Sequence, residues 1–551
     1  MAVSIRSSFW FAVSLATAIF AFGTACAQAA AGPMARTVPM AVALHRAAYV
    51  GALRATTPMH LVVSLPLRNS AALKALLRSQ IYNPASPMYH HYLSVSQFGD
   101  AFSPSASDIA RSARFFAGRG LTVGPITPNH MLLDVTGPLS AVERVFHVHV
   151  GLYRHPTENR LFFSADREPK LDLSIPVAQV IGLDNYALPT RRVVRSTNSA
   201  MPRVGSGPGG YFTGNDMRTA YYPAGSLTGS GQSIGLMEIG GYNLSDVQLF
   251  FQKHYGRTNS VPVIGIKTDG NRLDCPVAAG CDDAEQALDI EYAISVAPGL
   301  ESVRVYVGNS PEDVLNRQAS ENASKVLSTS WGWDRTYATT DENFFLEFAA
   351  QGQTNLTASG DYSSLVDSLP WPEESANITA VGGSNVVTNR PGGTWSSETG
   401  WIHSAGGPAV DLIPTESYQA PYVNSPNQAS PNLRNVPDVA ANADNFEICA
   451  NGECVGGYGG TSFASPIWAG IIALANQEAA QFGRPPVGFI NPTIYAIGRS
   501  SAYALAFHDI VDGTNGIFPC TPSYDLVTGL GSPNGQLFIG TLVLTQRFSR
   551  N

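Results

Sequence analysis

Apolar and polar positions follow two different rhythms along the 551 residues of the chain. From about Ala31 to Leu188, short apolar runs stand between stretches with helical spacing. Leu61 to Leu65, Met131 to Val135 and Val148 to Tyr153 read as strands, and Ser105 to Gly118 and Ser140 to Phe146 as helices. Strands interleaved with helices over about 150 residues predict a small α+β domain. Beyond residue 211 the strand-like runs are apolar almost throughout, at Gln232 to Ile239, Val303 to Val307, Val326 to Trp331 and Thr379 to Val381. Helical stretches such as Asp283 to Val296 and Pro466 to Phe482 alternate with them. A strand covered on both faces needs such a continuous apolar run, so this half predicts an α/β fold, a parallel sheet flanked by helices. Working residues in such sheets gather at the carboxyl ends of strands.

Between the halves, Arg191-Arg192-Val193-Val194-Arg195 is followed by Gly205-Ser206-Gly207-Pro208-Gly209-Gly210. Basic residues beside a Gly/Ser/Pro-rich tract predict an exposed, cleavable linker. At the other end, Arg6, the apolar run Phe9 to Ala25 and Ala27-Gln28-Ala29 have the order of a secretory signal with an A-x-A cleavage site. The expected organisation is therefore a signal peptide at 1–30, an inhibitory prodomain at 31–190, a linker at 191–210 and a catalytic domain at 211–551.

Composition narrows the function classes. Charged residues are only 14% of the chain and hydrophobic residues 44%, with no basic run, so no nucleic-acid partner is expected; nor is a stable membrane association. Removal of the signal leaves five of six cysteines. Cys275 and Cys281 lie close together, as do Cys449 and Cys454, which suits two short-loop disulfides in a secreted protein and leaves Cys520 single. Charge is split between the halves. Residues 1–205 carry 19 Lys+Arg against 9 Asp+Glu, net +10, and residues 206–551 carry 15 against 33, net −18. A cationic propeptide covering an acidic enzyme would have this asymmetry.

The most specific motif is Gly459-Gly460-Thr461-Ser462-Phe463-Ala464-Ser465-Pro466, which opens an apolar helix. Glycines allow a sharp turn, and a serine at a helix start sits where amides and the helix dipole favour developing negative charge. Such a serine is also an ordinary N-cap. The full G-T-S-x-A-x-P string decides for a nucleophile, because it resembles the nucleophile motif of the subtilisin-like clan. A subtilisin proper needs a histidine base, yet His254, His403 and His508 of the catalytic half stand in no H-G-T-like setting. The base must be another residue. Glu285 and Asp289 are four apart in an acidic, partly apolar run and would share one helix face. Two carboxyls held together cannot both ionise easily, so one keeps a proton while the other can accept one.

Together these residues resemble the sedolisin, or serine-carboxyl peptidase, family over nearly the whole chain, a kumamolisin-like proenzyme. The resemblance makes Glu285, with Leu288 and Asp289 at the family's spacing, the general base and Asp289 its orienting partner. It makes Asp361 in Ala358-Ser359-Gly360-Asp361 the oxyanion-hole acid, and it assigns Glu238 and Trp331 to the support of the catalytic glutamate. Residues from Met40 to Leu188, including Tyr89-His90-His91-Tyr92-Leu93, are similar to the family's activation domain, which implies a ferredoxin-like fold. Asp509, Ile510, Thr521, Ser523 and Asp525 are similar to the family's single Ca²⁺ site, and carboxylates with backbone carbonyls suit that ion. The family's glycines are missing where Thr521 and Ser523 stand. The resemblance thus implies a secreted, acid-acting serine endopeptidase, a self-processing monomeric zymogen whose partners are protein or peptide substrates and its own prodomain. A neutral-pH subtilisin-type protease lacks its histidine motif here. A catalytically silent binding protein on the same fold would not need every catalytic position filled.

Overall fold

The computed structural model describes residues 37–171, 175–195, 204–365, 371–411 and 413–545. The expected signal peptide lies outside them. No helix among the described residues is long and apolar enough to cross a membrane.

The N-terminal part is built on two antiparallel sheets. One orders the strands Thr122–Val123, Leu132–Pro138, Pro58–Ser64 and Gln179–Ile181 side by side, and the other joins Ala48–Ala52, Val150–Arg154 and Leu161–Ala165. The helices Ala106–Ala117 and Leu139–Phe146 close their apolar faces over this core through Ile109, Phe115, Phe116, Val142, Val145 and Phe146. Ser105 caps the first of them by accepting from the Asp108 amide, as Ser/Asp positions at a helix start dictate.

The larger part carries an eight-stranded sheet. Strands run in the order Val263–Lys267, Ser302–Gly308, Ser233–Ile239, Val326–Thr329, Thr354–Ala358, Thr379–Thr388 and Trp395–Gly400, with Val439–Asn442 also pairing with Thr379–Thr388. All pairings are parallel except the one with Trp395–Gly400. This is the α/β architecture predicted from the apolar runs. Two helices pack together across one face, Ala284–Val296 and Thr461–Gln481; every residue of the first is buried. Thr461–Gln481 begins five residues before the predicted start at Pro466, because a proline within the first turns loses only one amide donor. Val326 to Trp331, expected as one strand, is broken at Ser330. Both short-loop disulfides are present, Cys275–Cys281 and Cys449–Cys454, and Cys520 is buried and unpaired.

The two parts share one apolar cluster. Leu73, Leu77, Ile81, Tyr82, Phe98 and Phe102 of the N-terminal part pack with Met237, Tyr306, Leu315, Trp333 and Phe344 of the sheet domain. Tyr82 hydroxyl donates to the Ala349 carbonyl at 2.7 Å and accepts from the Phe489 amide at 2.9 Å. The Tyr-His-His-Tyr-Leu motif also docks here, with Tyr92 hydroxyl donating to the Pro486 carbonyl and the Leu93 amide to that of Ala350. Ion pairs across the seam are sparse by comparison: Arg78 with Glu416 at 2.7 Å, with the Arg78 side chain 70% exposed, and Arg191 and Arg192 with Asp282 and Glu373. Apolar burial, worth roughly 25 cal/mol per Å², outweighs an exposed pair of about 0–1 kcal/mol. The charge asymmetry is thus not the main bond between the halves.

Tyr82→Phe in the full chain should lower the unfolding free energy by about 1–3 kcal/mol, because it orphans a buried carbonyl and a buried amide. Arg78→Ala should stay within about 1 kcal/mol of the parent. Denaturant midpoints measured in a Ser462→Ala background, where processing cannot interfere, check both.

Candidate active site

Strand ends and helix starts bring the sequence-predicted residues together. Glu238 lies near the end of Ser233–Ile239, Ser330 just past Val326–Thr329, and Asp361 just past Thr354–Ala358; these are neighbouring parallel strands with their carboxyl ends on one side. Ser462 is the second residue of the Thr461–Gln481 helix, and Glu285 and Asp289 lie one turn apart on Ala284–Val296. Asp283 anchors the start of that helix by accepting from the amides of Asn243 and Asn451. Glu238, Glu285, Asp289 and Ser462 are all fully buried, and Asp361 nearly so.

The carboxyls form a chain. Trp331 Nε1–H donates to Glu238 Oε2 at 3.0 Å, and Ser330 Oγ–H to Asp289 Oδ1 at 2.7 Å. Glu238 Oε1 and Asp289 Oδ2 have no other partner, and the two side chains interact with each other, an arrangement in which one carboxyl must be protonated to donate. Burial is the largest influence on every member. It lifts Glu238 to about 8 and raises Asp289 well above the carboxylate range, the charge of Glu238 adding to the latter. Glu285 is raised well above its usual range by burial and then by Asp289, while the Ser462 hydroxyl beside it pulls the other way. Apart from each other, neither Glu285 nor Ser462 Oγ has a side-chain hydrogen-bond partner, which leaves the pair facing the reacting group.

Pro466 has a local part in this arrangement. Lacking an amide hydrogen, it cannot bond the Ser462 carbonyl in the usual helical pattern, and Ser330 Oγ lies 3.2 Å from that oxygen instead. Ser330 therefore ties the Ser462 helix to Asp289. Sequence reasoning missed it; a serine between Thr329 and Trp331 carries no signal of its own.

Opposite the carboxyl chain, Asp361 Oδ1 accepts from the Thr461 amide and hydroxyl, each at 2.8 Å. Its Oδ2 has no hydrogen-bond partner, and burial pushes the group up to about 7. Gly460 opens the corner. Its φ of +142° suits glycine, and a Cβ there would lie 2.8 Å from Asp361 Oδ2 and overlap the carbonyl oxygen of Arg192.

That oxygen belongs to the chain's own junction: where an exposed linker is expected at 191–210, its first residues, 191–195, are instead held in the cleft. Thr190–Arg191 pairs antiparallel with Trp331–Gly332, and Val194–Arg195 with Tyr458 and Gly459. Between them the Arg192 amide donates to the Ser330 carbonyl at 3.0 Å. Arg192 and Val193 are buried. A polar, basic tract reads as solvated from sequence, yet here the cleft supplies both backbone partners and a buried acid.

The three histidines of the larger part lie in other settings. His254 faces Glu447, His403 packs on Trp401, and His508 stacks on Trp395. Residues 45–186 match the family model "Pro-kumamolisin, activation domain" and residues 291–497 match "Subtilase family". Kumamolisin of Bacillus sp. (strain MN-32) is 28% identical over 487 residues, covering 82% of this chain and 86% of its own. Sedolisin of Pseudomonas sp. (strain 101) is 26% identical over 572 residues, covering 95% and 94%. The structure of Pseudomonas sedolisin, a serine-carboxyl proteinase complexed with two molecules of pseudo-iodotyrostatin, aligns with a TM-score of 0.52 at 26% identity. It covers 61% of this chain and 97% of that one. The protein is thus a sedolisin-type serine-carboxyl peptidase with an activation domain.

The C-terminal loop also gathers oxygens. Tyr503 hydroxyl lies 3.0 Å from Asp509 Oδ1, 2.7 Å from the Ser523 carbonyl and 3.1 Å from that of Leu530. Asp525 accepts from the amides of Thr521, Val527 and Thr528. Ile510 is buried against Cys520 and Val527, which leaves only its backbone for a ligand. Asp509 and the Ser523 and Leu530 carbonyls thus meet at one hydroxyl, and they are oxygen donors of the kind calcium takes. A second acidic group, His60, Asp134 and Asp313, sits at the seam between the halves, with ligand atoms within 4.8 Å of one another, and could hold a metal ion.

Gly460→Ala should reduce kcat/KM on peptide substrates by about 10²-fold or more, the loss typical of a disabled oxyanion site. Steady-state kinetics of the purified variant, with circular dichroism to confirm its fold, check this.

Proposed function

We propose that the protein is a secreted, acid-acting endopeptidase that removes its own prodomain, with the organisation 31–190, 191–210 and 211–551 read from the sequence. Ser462 attacks the peptide carbonyl, Glu285 takes its proton with Asp289 and Glu238 behind it, Trp331 holds Glu238, and Asp361 donates to the oxyanion. The observation that carries this reading is the set of buried carboxyls around a buried serine hydroxyl that interacts with Glu285, with an acid on the opposite side of the cleft. Burial strengthens Glu285 as a base in its ionised form and reduces the fraction ionised, so activity requires a pH at which both forms are accessible. Asp361 sets the upper limit. Lifted to about 7, it holds its donating proton below that pH and loses it above.

Acidification of the purified zymogen should produce a mass loss and new proteolytic activity, and Ser462→Ala should produce neither. Activity of the mature enzyme should fall as pH rises through about 7. Asp361→Asn donates without a titrating proton, so it should keep a larger share of its activity there. A wild-type optimum near pH 8, about where a histidine base is neutral, would contradict the carboxyl assignment.

Calcium is the proposed cofactor. Asp509 and Asp525 with the carbonyls of Ile510, Thr521 and Ser523 would hold it, and it would stabilise the loop beside the sheet without taking part in bond breaking. Chelation by EDTA should lower the thermal midpoint of the mature enzyme, because an ion bound only by the folded state adds to its stability. Asp525→Ala should lose this sensitivity.

A further inference from the structure

We propose that Glu373 is the specificity residue of the substrate cleft, selecting arginine on the acyl side of the cut bond, and that the first bond cut in self-processing is Arg192–Val193. The inference rests on the peptidase reading above and adds a substrate class and a cleavage point to it.

The junction lies in the cleft as a substrate would. Strands form on both sides of one short gap: Thr190 and Arg191 on Gly332 and Trp331, then Val194 and Arg195 on Gly459 and Tyr458. The residues in the gap are Arg192 and Val193. The Arg192 amide is bonded to Ser330, the residue whose hydroxyl reaches the Ser462 carbonyl, and the Arg192 carbonyl oxygen lies in the corner shared by Gly460 and Asp361. On this assignment the carbonyl carbon attached to that oxygen is the one Ser462 attacks, with Asp361, whose Oδ2 has no other partner, as the oxyanion donor. The paired backbone on either side fixes direction and register, so a shift of one residue would break both ladders.

The side chain of Arg192 then defines the pocket. It is 1% exposed and its Nη2 donates to Glu373 Oε1 at 2.9 Å, with Glu373 fully buried. Glycines make room for the flat guanidinium. A Cβ on Gly332 would overlap it, and one on Gly360 would lie 3.1 Å from Nη1. Neighbouring acids are taken up elsewhere, since Glu374 pairs with Arg335 and accepts from the Val410 amide. Burial pushes Glu373 up to about 8 while the Arg192 charge draws it down, the behaviour of a buried acid that gains its main counter-charge from the occupant of the pocket. A neutral or acidic side chain here would leave Glu373 buried and unpaired.

In the cut, Ser462 Oγ bonds to the Arg192 carbonyl carbon as its proton passes to Glu285. The C–N bond to Val193 then breaks, that proton going to the new amine. Water hydrolyses the ester, freeing the Arg192 carboxylate and restoring Ser462.

The test uses mature enzyme released from the full chain and quenched peptides carrying residues 189–195 with Arg, citrulline or Leu at position 192. The Arg peptide should be favoured over citrulline and Leu by roughly 30-fold or more in kcat/KM, the scale of losing one partner of a buried charge pair. Glu373→Gln should collapse that ratio towards one. The earliest N-terminus formed on acidification should be Val193, and Arg192→Gln should slow its appearance. Comparable cleavage of all three wild-type peptides, an Arg preference that survives in Glu373→Gln, or a different first N-terminus overturns the proposal while leaving the peptidase intact. Failure of the mature wild-type enzyme to cut any of these peptides or a denatured protein would instead sink the peptidase reading, and this inference with it.

Discussion

Carboxyl groups taken out of water must find protons or opposite charges, and the catalytic half of this protein is organised around that constraint. Glu238, Glu285, Asp289 and Asp361 are buried beside one sheet, and among the described residues no lysine or arginine hydrogen-bonds them. Desolvation disfavours their charged forms by far more than neighbouring hydrogen bonds restore. The site therefore shares protons. In the proposed mechanism that single constraint links an acidic pH range, a base made of glutamate rather than histidine, and an oxyanion donor that works as a neutral acid.

The rest of the fold serves to keep those groups dry and in register. The Ala284–Val296 helix, buried along its whole length against Thr461–Gln481, fixes Glu285 and Asp289 relative to Ser462. Pro466 frees the Ser462 carbonyl and Ser330 answers it, so the two helices and the sheet meet at one hydroxyl. The Cys449–Cys454 bridge closes the hairpin whose second strand leads directly into Gly460 and the nucleophile.

Inhibition and recognition use the same surfaces. The prodomain is attached through a shared apolar cluster, and the junction that follows it completes two small sheets inside the cleft. A chain segment bound this way excludes any other, at no cost in translational entropy, because it is tethered on both sides. It also reports what the cleft accepts, since its buried arginine meets the buried acid Glu373.

Much of this was legible in the linear order of residues. Continuous apolar runs determined a parallel sheet, because strands covered on both faces have no polar side to show. The G-T-S-x-A-x-P string marked Ser462, and the four-residue spacing of Glu285 and Asp289 placed both on one helix face, because helical geometry is local. Short cysteine separations determined the two disulfides for the same reason. What depended on distant segments meeting was not legible. Residues 191–195 look like a solvated basic linker until Gly332, Gly360 and the Gly459-Gly460 pair, from three separate segments, form the groove that accepts them. Glu373 has no motif around it and acquires meaning only from Arg192, 181 positions earlier in the chain. The charge asymmetry suggested an electrostatic clamp, but only the tertiary structure could show that aromatic and aliphatic side chains fill the seam. Local periodicity fixes elements and their faces; which side chains lose water together is decided when those faces meet.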